Sequence, residues 1–287
     1  MDSVLAVDIG GTKIAAGVVG SDGSLHRRSV RPTPSGTDAE AVFAAVLEAI
    51  GEVRSGDERA CGVGCGGPMT GAGAAVSPLN IGAWSEFRLR ARLTDSLSMS
   101  VHIDNDAKAL ALAEGWVGAA RGVRNYVAMV VSTGVGGGIV TDGRLLDGEQ
   151  GNAGHIGHVI VEPDGRVCGC GARGCLEAEA SGTAIEARTG HPAADASAGE
   201  RERAGRLVGR AVASVANLLD LRLAVIAGSV ALGYGDAFFS AAQAEVDRSA
   251  RLDFSAGTRV LPAGLGDAGP LVGAAAVGWR GLGVELE

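Results

Sequence analysis

Aromatic residues make up only 3% of this 287-residue chain, and proline occupies eight positions. Its core must therefore be mainly aliphatic. The 46% hydrophobic content supplies such a core and excludes a disordered chain. Cysteine is scarce as well: there are five, an odd number, with three crowded at 168, 170 and 175. That spacing argues against a disulfide framework and for metal binding. Positive charge is in deficit, 25 Lys and Arg against 33 Asp and Glu, and cations such as Arg88, Arg90 and Arg92 are scattered among acids. A net charge of −8 disfavours nucleic acid as a partner. No apolar run reaches bilayer length, and the opening MDSVLAVDIGG has neither a basic n-region nor a long apolar h-region. The expectation is a cytoplasmic protein with no membrane partner.

What the chain has in abundance is glycine, 47 residues of it, and the glycines mark turns. Val4 to Ile9 and Ile14 to Val19 are β-rich runs around Gly10-Gly11-Thr12, with Leu25 to Val30 a third strand. Thr37 and Glu40 form a capping-box pattern ahead of Val42, Val46, Leu47, Ile50 and Val53, which share one helical face. Cys61 to Cys65 and Val101 to Ile103 read as short buried strands, and Asp106 to Glu114 as a helix stopped by Gly115. The pattern of strand, glycine turn and strand then returns at Tyr126–Ser132, Gly134–Gly138 and Ile139–Thr141, which predicts a duplicated plan. A long helix with Leu207, Val208, Ala211, Val212, Val215, Leu218 and Leu219 on one face follows, then a strand at Leu223–Ala227 and a helical C-terminus. The polar stretch His191 to Gly199 reads as a surface loop. We expect an α/β protein of two lobes, residues 1–115 joined by the C-terminal helix 270–287, and residues 116–269.

Asp8 ends a strand and is followed by Gly10, Gly11, Thr12 and Lys13. Glycines without a Cβ let backbone N–H groups approach an anion, so phosphate is the natural ligand. Thr133, Gly134 and Gly136 repeat the arrangement, and two such turns could hold one polyphosphate between them. A single turn of this kind also reads as a plain hairpin. Gly62 to Gly67 matches a dinucleotide fingerprint as a string, but Pro68 follows and no helix opens, so no dinucleotide site is expected there. Asp106, after Asn105 at a strand end, is either a general base or a helix cap. His158, Cys168, Cys170 and Cys175 offer one imidazole and three thiolates, the donor set of a closed tetrahedral structural zinc, while Cys61 and Cys65 read as core residues. Four filled positions argue against a zinc hydrolase.

Together these segments resemble the ROK family of sugar kinases and sugar-responsive repressors, from Asp8 to the C-terminal helix. The most specific stretch is His158, Cys168-Gly169-Cys170-Gly171 and Gly174-Cys175-Leu176-Glu177. The resemblance implies the two-lobed actin-like, ribonuclease-H-like fold with ATP, Mg²⁺ and structural Zn²⁺ as cofactors, a hexose as substrate and a homodimer. Asp106 would then be the base that deprotonates the sugar's primary hydroxyl. Asn80 and Asn105 would hold ring hydroxyls, His158 and Glu177 would lie near the sugar, Asp8 would help place Mg²⁺, and Gly228-Ser229 would close on adenosine. Repressor members carry an added N-terminal helix-turn-helix. Here the first glycine turn falls within the first dozen residues, so a kinase is expected.

Three departures concern the substrate side. His155 stands where the family usually has the Glu of Glu-x-Gly-His, replacing an acceptor-only carboxylate by a ring with one donor and one acceptor. The expectation is a glucokinase-like kinase acting on the 6-hydroxyl of a hexose, with a modified sugar or a C7 cyclitol as the alternative that His155 raises. Asn80-Ile81-Gly82-Ala83-Trp84 lacks the usual Pro-Gly before the Trp. Lys108 replaces a common Asn and is expected to point outward as a solvated charge, with a phosphate contact as the alternative. A non-catalytic sugar sensor is the competing class of function.

Overall fold

The computed structural model describes residues 2–71 and 73–286. Two compact units emerge, one of Met1–Arg121, Asp147–Ala153 and Leu265–Glu287, the other of Gly122–Leu146 and Gly154–Gly264. The first unit opens with a meander, β1 (Ser3–Ile9), β2 (Lys13–Gly20) and β3 (Leu25–Pro32), followed by helix α1 (Ala39–Val53). Then come β4 (Cys61–Cys65), the short pair β5 (Met69–Thr70) and β6 (Ala75–Val76), helix α2 (Leu89–Leu97), β7 (Val101–Asn105) and α3 (Asp106–Trp116). The sheet order is β3-β2-β1-β4-β7, antiparallel across the meander and parallel from β1 to β7.

The second unit repeats this plan with β8 (Tyr126–Val131), β9 (Val135–Thr141) and β10 (Arg144–Leu145), then helices α4 (Leu176–Ala180), α5 (Gly182–Thr189) and α6 (Ala198–Leu219). After these come β11 (Leu223–Ala227), α7 (Ser229–Tyr234), α8 (Asp236–Ser249) and β12 (Arg259–Pro262), in sheet order β10-β9-β8-β11-β12. Helix α9 (Gly269–Gly281) returns to the first unit.

The strand β1 is apolar almost throughout because both its faces are covered. Leu5, Val7 and Ile9 join α1 and α2 in one core, whereas Val4 and Ala6 join Ala113 and Trp116 of α3 and the length of α9 in another. Gly62 of β4 explains itself in this layer: a Cβ there would fall on the carbonyl oxygen of Ala274, so α9 lies directly on the strand. Gly273 likewise lets α9 approach the Ala109 carbonyl of α3. Cys61 and Cys65 are fully buried among these residues, as their reading as core predicts.

Several sequence expectations need correction. Asp38, not Thr37, caps α1, its carboxylate accepting from the N–H groups of Glu40 and Ala41. Helix α3 runs through Gly115 to Trp116. Gly136 to Gly138 lie inside β9 rather than in a turn. The stretch His191 to Gly199 holds a 3-10 turn at Ala193–Asp195 and the start of α6, where Ser197 is the cap. Leu218 is 78% exposed, because helical phase predicts a facing direction and not what covers it. The contiguous lobe boundaries also differ from the observed units: the crossings fall after Arg121 and before Leu265, and Asp147–Ala153 belongs to the first unit.

Glu114 serves two of these crossings. Its carboxylate, fully buried, accepts from the N–H of Ala119 at 2.7 Å and from that of Leu265 at 3.3 Å. Nothing in the sequence singles it out.

Candidate active site

In the first unit the turn between β1 and β2 closes with Gly10 N–H donating to the Lys13 carbonyl at 3.0 Å. Thr33 braces it from the side, its hydroxyl donating to the Gly10 carbonyl at 2.6 Å and its N–H to the Thr12 carbonyl at 3.0 Å. Gly11 abuts the Asn80 loop: a Cβ there would lie 2.6 Å from both the Asn80 carbonyl oxygen and the Asn80 Cβ. That loop is anchored by buried Ile81 and Trp84, the Trp84 ring stacked on Phe87 at 4.4 Å and its N–H donating to the Ala39 carbonyl. Asn80 itself is exposed.

Parallel pairing puts Asp8, Gly64 and Asp104 in lateral register across β1, β4 and β7. The space a Gly64 side chain would fill is bounded by Asp8 Oδ1 at 3.6 Å and by the Cα of Asp106 at 3.7 Å. Burial and then the neighbouring Asp106 charge push the Asp8 carboxyl up to about 7, against the pull of Lys13. A carboxylate whose charge is so poorly compensated suits a hard cation, and its oxygens are the donors Mg²⁺ prefers.

Asn105 is the cap of α3, its side-chain oxygen accepting from the N–H groups of Ala107 and Lys108 at 3.0 and 3.4 Å. Asp106 is therefore the first residue inside the helix, exposed, and accepts from the Ala107 N–H in the same turn at 2.8 Å. The capping role open to it in the sequence belongs to its neighbour.

Lys108 is neither solvated nor a phosphate contact. Its side chain is 2% exposed and its ammonium donates to Asp104 at 3.0 Å, Asp147 at 2.9 Å and the Gly151 carbonyl at 3.1 Å. The expectation that a long cation stays in water fails because three acceptors meet its three donors.

In the second unit the turn between β8 and β9 is closed by Ser132 N–H to Gly134 carbonyl at 2.9 Å. The start of α5 holds it, Gly182 N–H donating to Ser132 and the Thr183 hydroxyl to Thr133. Glu177 of α4 accepts from the Val135 N–H at 3.0 Å, which places its carboxylate on the turn itself. Gly228 lies beside the end of β8, where a Cβ would fall on the Val131 carbonyl, and Ser229 bonds Ser132 at 3.0 Å. Gly136 is part of the β9 ladder opposite Val130.

His158 ends a 3-10 turn that presses on β9, made possible by Gly154 and Gly157, whose missing side chains admit the Gly137 and Val135 carbonyls. The ligand atoms of His158, Cys168, Cys170 and Cys175 all lie within 4.8 Å of one another, with Cys168 Sγ 3.7 Å from His158 Nδ1. One nitrogen and three sulfurs at this spacing fit a tetrahedral zinc. His155 stacks against His158 with ring centroids 6.0 Å apart. Glu179, missed by sequence reasoning, is 2% exposed and grips the loop before the cysteines, accepting from the Arg166 N–H and from Arg203 at 2.6 Å each. Burial pushes its carboxyl up, but these donors hold it below the usual range.

Residues 4–279 match the ROK family across both units. The chain belongs to the ROK family. It is 40% identical over 248 residues to an N-acetylmannosamine kinase of Citrobacter koseri, covering 81% of this chain and 85% of that one. Among solved structures it is similar to the ROK hexokinase of Thermus thermophilus, at a TM-score of 0.80 and 33% identity over 98% of this chain and 99% of the other. It is also similar to a ROK family glucokinase of Streptomyces griseus in complex with glucose and AMPPNP, at a TM-score of 0.84 and 29% identity over 97% and 99% of the two chains. The expected α/β, actin-like fold is thus the fold observed. Among the described residues no helix is long and apolar enough to cross a membrane.

Proposed function

We propose that this ROK protein is an ATP-dependent sugar kinase transferring the γ-phosphate to the primary hydroxyl of an N-acylated hexosamine, N-acetylmannosamine first among candidates. The observation that carries the chemistry is Asp106, an exposed carboxylate at the first position of α3 with the capping duty taken by Asn105. Asp106 accepts the hydroxyl proton as the sugar oxygen bonds the γ-phosphorus, the bond from that phosphorus to the bridging oxygen breaks, and ADP leaves.

Gly10, Gly11, Thr12 and Lys13 bind phosphate oxygens from one turn, Thr133, Gly134 and Gly136 from the other, and Gly228 borders the adenosine. Asp8 would hold Mg²⁺, which when bound supplies positive charge against the phosphates. Asn80, Asn105, His155, His158 and Glu177 bind the sugar, Glu177 through the oxygen not given to Val135. His158, Cys168, Cys170 and Cys175 would hold a structural zinc, and with it bound the His158 ring and α4 share one anchor. The amino-sugar preference is supported by the curated relatives and by His155, which adds a donor where a carboxylate offers none. A homodimer goes with this reading through the family resemblance.

Coupled ADP release with Mg-ATP over glucose, mannose, N-acetylmannosamine, N-acetylglucosamine and C7 cyclitols tests it, with Asp106→Asn as the blank. N-acetylmannosamine should rank first and the variant should lose turnover. Glucose ranking first would leave the kinase and remove the amino-sugar preference. Sugar binding by calorimetry without turnover would favour the sensor.

A further inference from the structure

The buried Lys108 lies at the centre of a closed charge network confined to the first unit. Besides Lys108, it contains Asp104 of β7, Asp147, and Arg280 of α9, which meets Asp147 at 2.6 Å and Asp104 at 3.6 Å. Two cations face two carboxylates, and each ammonium hydrogen has an acceptor, so the group is buried without an orphan charge. The bonds on Asp147 outweigh its burial and hold its carboxyl below the usual range.

Two things are tied together here. Asp104 also accepts from the Asn105 N–H at 2.8 Å, so the network fixes the corner from which Asn105 and Asp106 project. Asp147 and Gly151 belong to the strap Asp147–Ala153, which packs in the first unit although the chain on both sides of it belongs to the second. The far end of the strap is clasped too, the Asn152 amide donating to the Met69 carbonyl at 3.1 Å and accepting from the Met69 N–H at 3.3 Å. The next residues along the chain are Gly154, His155, Ile156, Gly157 and His158.

We propose that Lys108 is a positioning residue for the kinase reaction: it fastens the strap leading into His155 and His158 to the helix that presents Asp106. The proposal rests on the sugar-kinase reading above. Lys108 gives its three donors to Asp104, Asp147 and Gly151 and acts through them. Its removal frees the strap, and the histidine arm then meets the sugar less well placed, while the glycine turns that bind ATP keep their own braces at Thr33 and Thr183.

The test compares Lys108→Met, Asp147→Asn and the double variant, in which Asp104 and Arg280 remain as a balanced pair. In the double variant, amide hydrogen exchange over residues 147–153 should quicken, the KM for the sugar should rise about tenfold and the KM for ATP should stay within about twofold. A merely structural role would lower thermal stability and scale kcat with the folded fraction, leaving both KM values alone. Native exchange in the strap, or fast exchange with an unchanged sugar KM, overturns the proposal. The failure of the underlying reading looks different: wild-type protein would then neither turn over nor bind any sugar of the panel, and the proposal falls with it. A wild type that works beside an unaltered double variant removes the role of Lys108 alone.

Discussion

The two glycine turns occupy the same place in two sheets of the same order, yet they are held differently. Between β1 and β2 the braces act on carbonyls, through Thr33, and the nearest charged side chain along the chain is Lys13. Between β8 and β9 a brace also acts on an N–H group, Glu177 accepting from Val135. The first turn therefore keeps its N–H side and a cation for an anion, whereas the second has a carboxylate seated on it. Because Glu177 follows Cys175 by two residues at the start of α4, the second turn is also linked to the cysteine cluster. Duplicated topology does not imply duplicated duty: on the proposed reading Asp8 and Asp106 of the first unit serve the chemistry, whereas Glu177 and Glu179 of the second brace loops, Glu177 with one oxygen left for the sugar.

The sharpest way to break that contrast is to neutralise one carboxylate from each side. Asp106→Asn should lower kcat by about 10²- to 10⁴-fold with sugar affinity nearly unchanged, the range a general base commands. Glu177→Gln should keep most of kcat and act on substrate binding. Equal losses of kcat would place chemistry in both units.

Zinc removal comes next in size. A chelator, or Cys175→Ser, should raise the sugar KM by about tenfold and lower the melting temperature, because His158 and α4 lose a shared anchor. ATP affinity should fall less, through Glu177 alone. Equal loss of both affinities would show that the cluster supports the nucleotide as directly as the sugar.

The glycines themselves sharpen the comparison. At Gly11 a methyl group meets the backbone of Asn80, which cannot step aside, whereas at Gly134 it meets Glu177 Oε2 at 2.8 Å, the far end of a side chain that can turn. Gly11→Ala should cost about 1–3 kcal/mol of stability and Gly134→Ala less than about 1 kcal/mol, measured by denaturant unfolding. The reverse order would mean that Glu177 is the stiffer brace.

How much of this was legible in the sequence follows from the same physics. Strands such as β1 and β8 announce themselves because both faces are buried, and the Cys/His cluster because its donor set is rare. Periodicity reports direction and not covering, so it puts the exposed Leu218 on a buried face, and the rule that long cations stay in water misses Lys108, whose acceptors Asp147 and Gly151 lie far along the chain. Cap positions one residue apart, Thr37 against Asp38, differ only in backbone angles that the chain settles on folding. Glu114 and Glu179 carry no signal in the sequence because each accepts from main-chain N–H groups, which have no side-chain signature, and the side-chain partner of Glu179, Arg203, is 24 residues away.

A pH series tests whether the first unit's polar end is built for a cation. Burial and the Asp106 charge raise the Asp8 carboxyl to about 7 in the folded protein, from an ordinary value of 3.8. Between those two values the unfolded chain has released a proton that the folded one retains, so folding stability falls as pH rises from about 4 to about 7, and the loss is complete above the folded value. Asp8→Asn has no proton to release. Without Mg²⁺, its melting temperature should therefore rise above that of the wild type progressively over this window and hold a constant lead at pH 8. Added Mg²⁺ should narrow the lead by stabilising the wild type alone, since the ion compensates a charge that the variant lacks. A lead that is constant across pH would mean Asp8 is ionised throughout and already compensated within the fold, and the contrast between a chemical and a bracing set of carboxylates would lose its first member.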